Sequence, residues 1–163
     1  PTCTISTEGL YNARVSEPRA SVTSRRRSAE HWVVLCLVLG AFAVEVWLGL
    51  RATPDGRGFG THEQLGLPPC RAMDWFGVPC PGCGVTTSVT HAVQLDLASS
   101  FDTQPFGLLV ALAIPLMAAW ALWTALRGGD CAHLLARWTS LPLVTLVAAA
   151  AAFGWIWKLG SVF

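Results

Sequence analysis

Three of the six cysteines, Cys70, Cys80 and Cys83, fall in one stretch, CRAMDWFGVPCPGCGVTTSVTH, residues 70–91. Cys80 and Cys83 bracket a Pro-Gly pair and are followed by Gly84, forming a Cys-Pro-Gly-Cys-Gly turn. Thiols spaced in this way support three kinds of chemistry. Two cysteines separated by two residues can reach one ion, and a glycine after the second permits the tight turn such sites use. A tetrahedral zinc site takes four ligands. Cys70, Cys80 and Cys83 would supply three, and His62, in a segment rich in Gly and Pro, is the candidate for the fourth. His91 fits less well, because on a helix starting near Cys83 it lies roughly 12 Å along the axis. A second Cys-x-x-Cys pair is absent. Thiol–disulfide exchange is another use of the pair, since a helix N-terminus stabilises a thiolate. The plainest reading is a staple, with Cys70 bonded to Cys80 or Cys83 to hold an irregular loop at the helix ends. The staple is taken first, a metal second and redox third. Zinc is the ion the metal reading implies; the cofactor is otherwise open.

Two further sets of polar residues stand out. Thr86, Thr87, Ser88 and Thr90 follow the turn and could line a polar site, although hydroxyls there more often bond nearby backbone groups. Glu45 is an acid inside an apolar run, where ionisable groups are costly and face protein or water. Ala41, Glu45 and Gly49 share a small-residue face suited to helix packing. Arg51, Arg71 or His91 is the expected partner for Glu45, which then holds the motif loop in place rather than relaying protons.

These groups need a scaffold, and the composition says which kind. The chain of 163 residues is 53% hydrophobic and 13% charged, about half the usual charged fraction. Eight tryptophans suit the membrane–water interface. A net charge of +1 gives no reason to expect a nucleic-acid partner. Three apolar runs approach the roughly 20 residues a spanning helix requires, at about 32–50, 106–126 and 138–157. Backbone groups in lipid must bond internally, so the runs are helices. The expected architecture is an all-α membrane protein with three transmembrane helices and a short re-entrant or interfacial helix after the turn. Residues 1–30 are polar and read as a disordered tail, with Cys3 an ordinary thiol; residues 31–163 form one membrane domain. Arg25, Arg26 and Arg27 before the first run, with Arg127 and Arg137, put the N-terminus in the cytoplasm. The 51–105 connection and its motif are then extracytoplasmic. Within it, TPDGRGFGTHEQLGLPP reads as irregular, a turn falls at Asp96, and Asp102 or Thr103 is expected to cap the second span ahead of Pro105.

Cys70, Cys80, Pro81, Cys83, Gly84, Thr86, Pro105 and Gly107 together resemble the pattern of a bacterial membrane-protein family catalogued as domain of unknown function 2752. That pattern is a Cys, a spacer, Cys-Pro-x-Cys-Gly, a hydroxyl-rich turn, a short helix, and Asn-Pro or Gln-Pro entering a membrane helix. The resemblance covers roughly Cys70 to Trp123. Many members have Thr-Arg after the motif, where this chain has Thr86-Thr87. The resemblance implies the same architecture in the bacterial cytoplasmic membrane.

The first functional expectation is an accessory or scaffold protein, embedded in the bilayer and packed against a membrane partner or a second copy. The alternative is a membrane-bound metal or thiol-redox protein centred on Cys70, Cys80 and Cys83. An enzyme acting on a lipid-linked substrate through Glu45 and His91 ranks third, because no acid–base or nucleophile constellation accompanies them.

Overall fold

The computed structural model describes residues 29–131 and 140–162. The polar tail with Cys3 and Arg25–Arg27, and the Arg137–Trp138 segment, lie outside the described residues. The chain is helical, and three of its helices are long and apolar enough to cross a membrane: α1 (Ala29–Arg51), α5 (Pro105–Leu126) and α6 (Leu141–Val162). Between α1 and α5 lie a 3-10 helix (Thr61–Leu65), α2 (Arg71–Phe76), α3 (Val85–Val93) and α4 (Leu97–Thr103). This is a membrane protein.

The long helices have no single wet face. Their mean hydropathies are 2.4, 2.1 and 1.6, and large side chains such as Leu37, Val44, Leu116 and Leu146 point outward, as lipid contact demands. What turns inward is small. On α5, Ala111, Ala118 and Ala125 recur at heptad spacing, with Ala121 between them, and all are buried. They let the backbone of α1 come close, so that Val34, Leu35 and Val38 pack on Ala118, Ala121 and Ala125. Nearer the loop, Leu48 of α1 and Ala52 just after it join Ala111 and the α3 residues Val89 and Ala92 in a second cluster. The short helix α3 is thus wedged between α1 and α5.

Gly107 allows that wedge. A Cβ there would stand 2.7 Å from Ser88 Cβ and Oγ. Contact this close brings polar groups together. Ser88 Oγ lies 2.8 Å from Ser100 O, 2.9 Å from Gln104 O and 2.9 Å from Ser100 Oγ, while Ser100 Oγ donates to Ser88 O at 2.8 Å. These buried hydroxyls knit the α3, α4 and α5 backbones where irregular chain would otherwise leave orphan groups.

Several boundaries differ from expectation. The third span runs on past residue 157 to Val162. Neither Asp102 nor Thr103 caps α5; both lie in α4, and Gln104 does it, its Oε1 accepting from Phe106 N (2.8 Å) and Gly107 N (3.2 Å). Asp96 does mark a turn, capping α4 through Ser99 N at 3.1 Å. The segment read as irregular contains the 3-10 helix, set between Gly60 and Gly66, which both take left-handed backbone conformations. Arg57 clips it by pairing with Asp55 (2.8 Å) and Glu63 (3.0 Å), and Gln64 bonds Thr53.

Candidate metal centre

The Cys-Pro-Gly-Cys-Gly stretch forms a turn rather than the first turn of a helix. Cys83 N donates to Cys80 O at 2.9 Å, and α3 begins only at Val85. Gly84 makes the junction, with φ +88°, a conformation that L side chains rarely adopt. On the other side, Cys70 is the residue before α2, and that short helix carries the chain round to Pro79, whose carbonyl accepts from Trp155 Nε1 of α6 at 2.9 Å. The turn and the α2 entry face each other as a result. The sulfurs of Cys70, Cys80 and Cys83 all lie within 4.8 Å of one another. Cys83 is buried, the other two are half-buried, and all three are free thiols.

The three thiols differ electrostatically. Burial would raise Cys70, but the backbone amides of Met73, Cys80 and Ala72 and the Cys80 thiol favour its thiolate, leaving it below the ordinary thiol range. Burial and hydrogen bonding to Cys70 push Cys80 up. Cys83 is pushed up to about 12, first by burial and then by negative charge at Cys70 and Cys80, against the opposing effect of Lys158. Two thiolates this close repel each other, and a cation among them removes that penalty.

The remaining sequence-predicted residues lie elsewhere. His62 donates from Nε2 to Pro68 O at 3.2 Å and does not join the sulfurs. His91 pairs with Asp96 at 3.4 Å. Thr87 is buried and accepts a bond from Thr61 Oγ1 at 2.8 Å, latching the 3-10 helix to α3. The half-buried Thr86 offers its carbonyl to Thr90 Oγ1 at 2.8 Å. Glu45 is buried, 5% exposed, but the expected bond from the loop is not made: among the described residues its Oε2 has no partner. The loop instead reaches α1 through Gln94, whose Nε2 donates to Gly49 O and Ala52 O, each at 3.1 Å.

Sequence reasoning missed two residues here. Gln104 is fully buried, and Lys158 comes from the far end of the chain to sit beside the turn. The available signal for Lys158 was a lysine closing an apolar run.

With the geometry in place, comparison with known proteins adds one match. Residues 70–120 match the family described as "Protein of unknown function (DUF2752)". The match begins at Cys70, includes all three site cysteines and extends into α5, so the resemblance read from the motif holds. No curated protein and no solved structure matches the chain.

Proposed function

We propose that this membrane protein binds one transition-metal ion, zinc being the first candidate, through Cys70, Cys80 and Cys83 at one face of the bilayer. The convergence of three sulfurs, rather than two, carries the reading. A structural disulfide uses two sulfurs and gives no reason for a third within 4.8 Å of both; thiolates select zinc, copper(I) or iron–sulfur chemistry. Among the described residues no fourth His, Cys, Asp or Glu joins the group. Three protein ligands with a position left for water or another molecule is the arrangement of reactive rather than purely structural zinc sites. The orientation suggested by Arg25–Arg27 places the site outside the cytoplasm, and labelling of Cys70 by a membrane-impermeant maleimide in intact, reduced cells tests it. The decisive experiment for binding is equilibrium dialysis of the reduced, detergent-solubilised protein against zinc. One ion per chain is expected, with none in the C70S/C80S/C83S variant. No uptake by the reduced wild type, or a disulfide among these cysteines in protein from native membranes, would refute the reading.

A scaffold role is a second reading with its own observation. An apolar cavity of about 520 Å³ lies between α5 and α6, lined by Phe106, Val110, Met117, Val144 and Val147 among others. A membrane partner or second copy seated there would give cross-links from Val144→Cys; their absence in native membranes would remove this reading.

A further inference from the structure

The chain contains one lysine, Lys158, and it is buried, with 4% of its surface exposed. It stands near the end of α6, and its side chain turns into the loop. Nζ donates to Gly58 O at 2.9 Å and to Thr103 O at 3.4 Å, and lies 5.9 Å from the centre of the Phe59 ring. A Cβ on Gly84, the residue directly after Cys83, would stand 3.3 Å from Lys158 Cε and 3.4 Å from Nζ. The ammonium therefore sits against the cysteine turn.

Its surroundings are incomplete for a charge. Carbonyls satisfy its hydrogen bonds but carry no compensating charge, and a buried ion without an opposite charge is strongly disfavoured. Among the described residues no carboxylate pairs with it. Among the described residues, Cys83 is the ionisable group that acts electrostatically on Lys158, and Lys158 is the positive group that acts on Cys83. The triad has the complementary problem. Three thiolates around a divalent ion leave one negative charge in a partly buried site, and one ammonium cancels it.

We infer, on the metal reading above, that Lys158 is the counter-charge of this site: a positioning residue, not a ligand, that makes a divalent ion held by Cys70, Cys80 and Cys83 electrically neutral. The competing role is a staple for the helix end, acting through the bonds to Gly58 and Thr103 alone. Gln at this position keeps N–H donors and loses the charge; Arg keeps both.

The test uses the full chain in detergent, reduced and metal-free, titrated with Co2+ by its thiolate charge-transfer absorbance, with Zn2+ then displacing the Co2+. Lys158→Arg is expected to bind within about threefold of wild type, because its charge persists. Lys158→Gln should bind roughly 10–100-fold more weakly, the range for groups that support metal ligands from outside the coordination sphere. Tryptophan emission and elution volume check that both variants fold. An unchanged affinity in Lys158→Gln, or an equal loss in both variants, overturns the inference. A second measurement needs no change at Lys158. Protein grown with 13C-lysine gives a single lysine Cε resonance, which Zn2+ should shift in wild type and leave in place in C70S/C80S/C83S. A resonance that Zn2+ does not move in the wild type also overturns it. If wild type takes up neither Co2+ nor Zn2+, the metal reading itself falls, and the wild-type arm alone shows this.

Discussion

Adding one methyl group at Gly84 should damage this protein, while the same change two residues earlier should not. Gly84 has φ +88°, and a Cβ there would lie 2.8 Å from Gly58 O, a backbone atom that cannot swing aside. Forcing an L-residue into the left-handed region costs about 1–2 kcal/mol. Relieving the contact requires moving the Gly58 loop and, with it, the Lys158 ammonium that this carbonyl holds; overpacking of this kind typically costs about 1–3 kcal/mol. Replacing Gly by Ala also restricts the unfolded chain, which returns about 0.4–1 kcal/mol. The expected net loss for Gly84→Ala is about 1–4.5 kcal/mol. Gly82 lies in the same turn, but a methyl group added there would meet no atom within 4 Å, and its backbone is not left-handed. Gly82→Ala should therefore stay within about 0.5 kcal/mol of wild type. Both variants can be unfolded by SDS titration from a mild detergent, followed by tryptophan emission. Equal stability of Gly84→Ala and Gly82→Ala would refute the assignment of Gly84 as the constrained joint between the cysteine turn and α3.

Three other outcomes are expected. Ser88→Ala should destabilise by about 1–3 kcal/mol in the same titration, because it removes the hydroxyl that bridges Ser100 and Gln104 in a dry site; a loss under about 0.5 kcal/mol would show that water replaces it. Glu45→Gln should be at least as stable as wild type, since Glu45 Oε2 makes no bond that the substitution breaks; a clear loss would reveal a partner. Zinc affinity should fall on acidification from about pH 8 to pH 6 by roughly tenfold per unit for each proton released. The sign follows from Cys80 and Cys83, whose raised values keep them protonated when the site is empty, so that binding expels protons. A flat dialysis profile would contradict thiolate ligation.

The membrane helices were legible because hydropathy is a property of contiguous sequence: α1 and α5 begin and end within a few residues of the apolar runs. The cysteine triad was legible for a similar reason, since Cys80 and Cys83 share a turn and Cys70 lies just upstream. The features that complete the site come from tertiary approach. Lys158 and Gly58 meet across the fold, and nothing local in either segment specifies the pairing. His62 looked free to reach the sulfurs because its segment is rich in Gly and Pro. That same segment folds into a 3-10 helix whose own bonds to Thr53, Thr87 and Pro68 place the ring elsewhere. Gln104 is hard to foresee as a cap because Asp and Thr are the commoner capping residues. Asp102 and Thr103 are taken up by α4.

X-ray absorption at the zinc edge of the reduced, zinc-loaded wild-type protein tests the central claim most directly. The account predicts a first shell of three sulfurs at about 2.3 Å with one lighter atom completing the sphere. A first shell of nitrogen and oxygen alone, with no sulfur scattering, would contradict it.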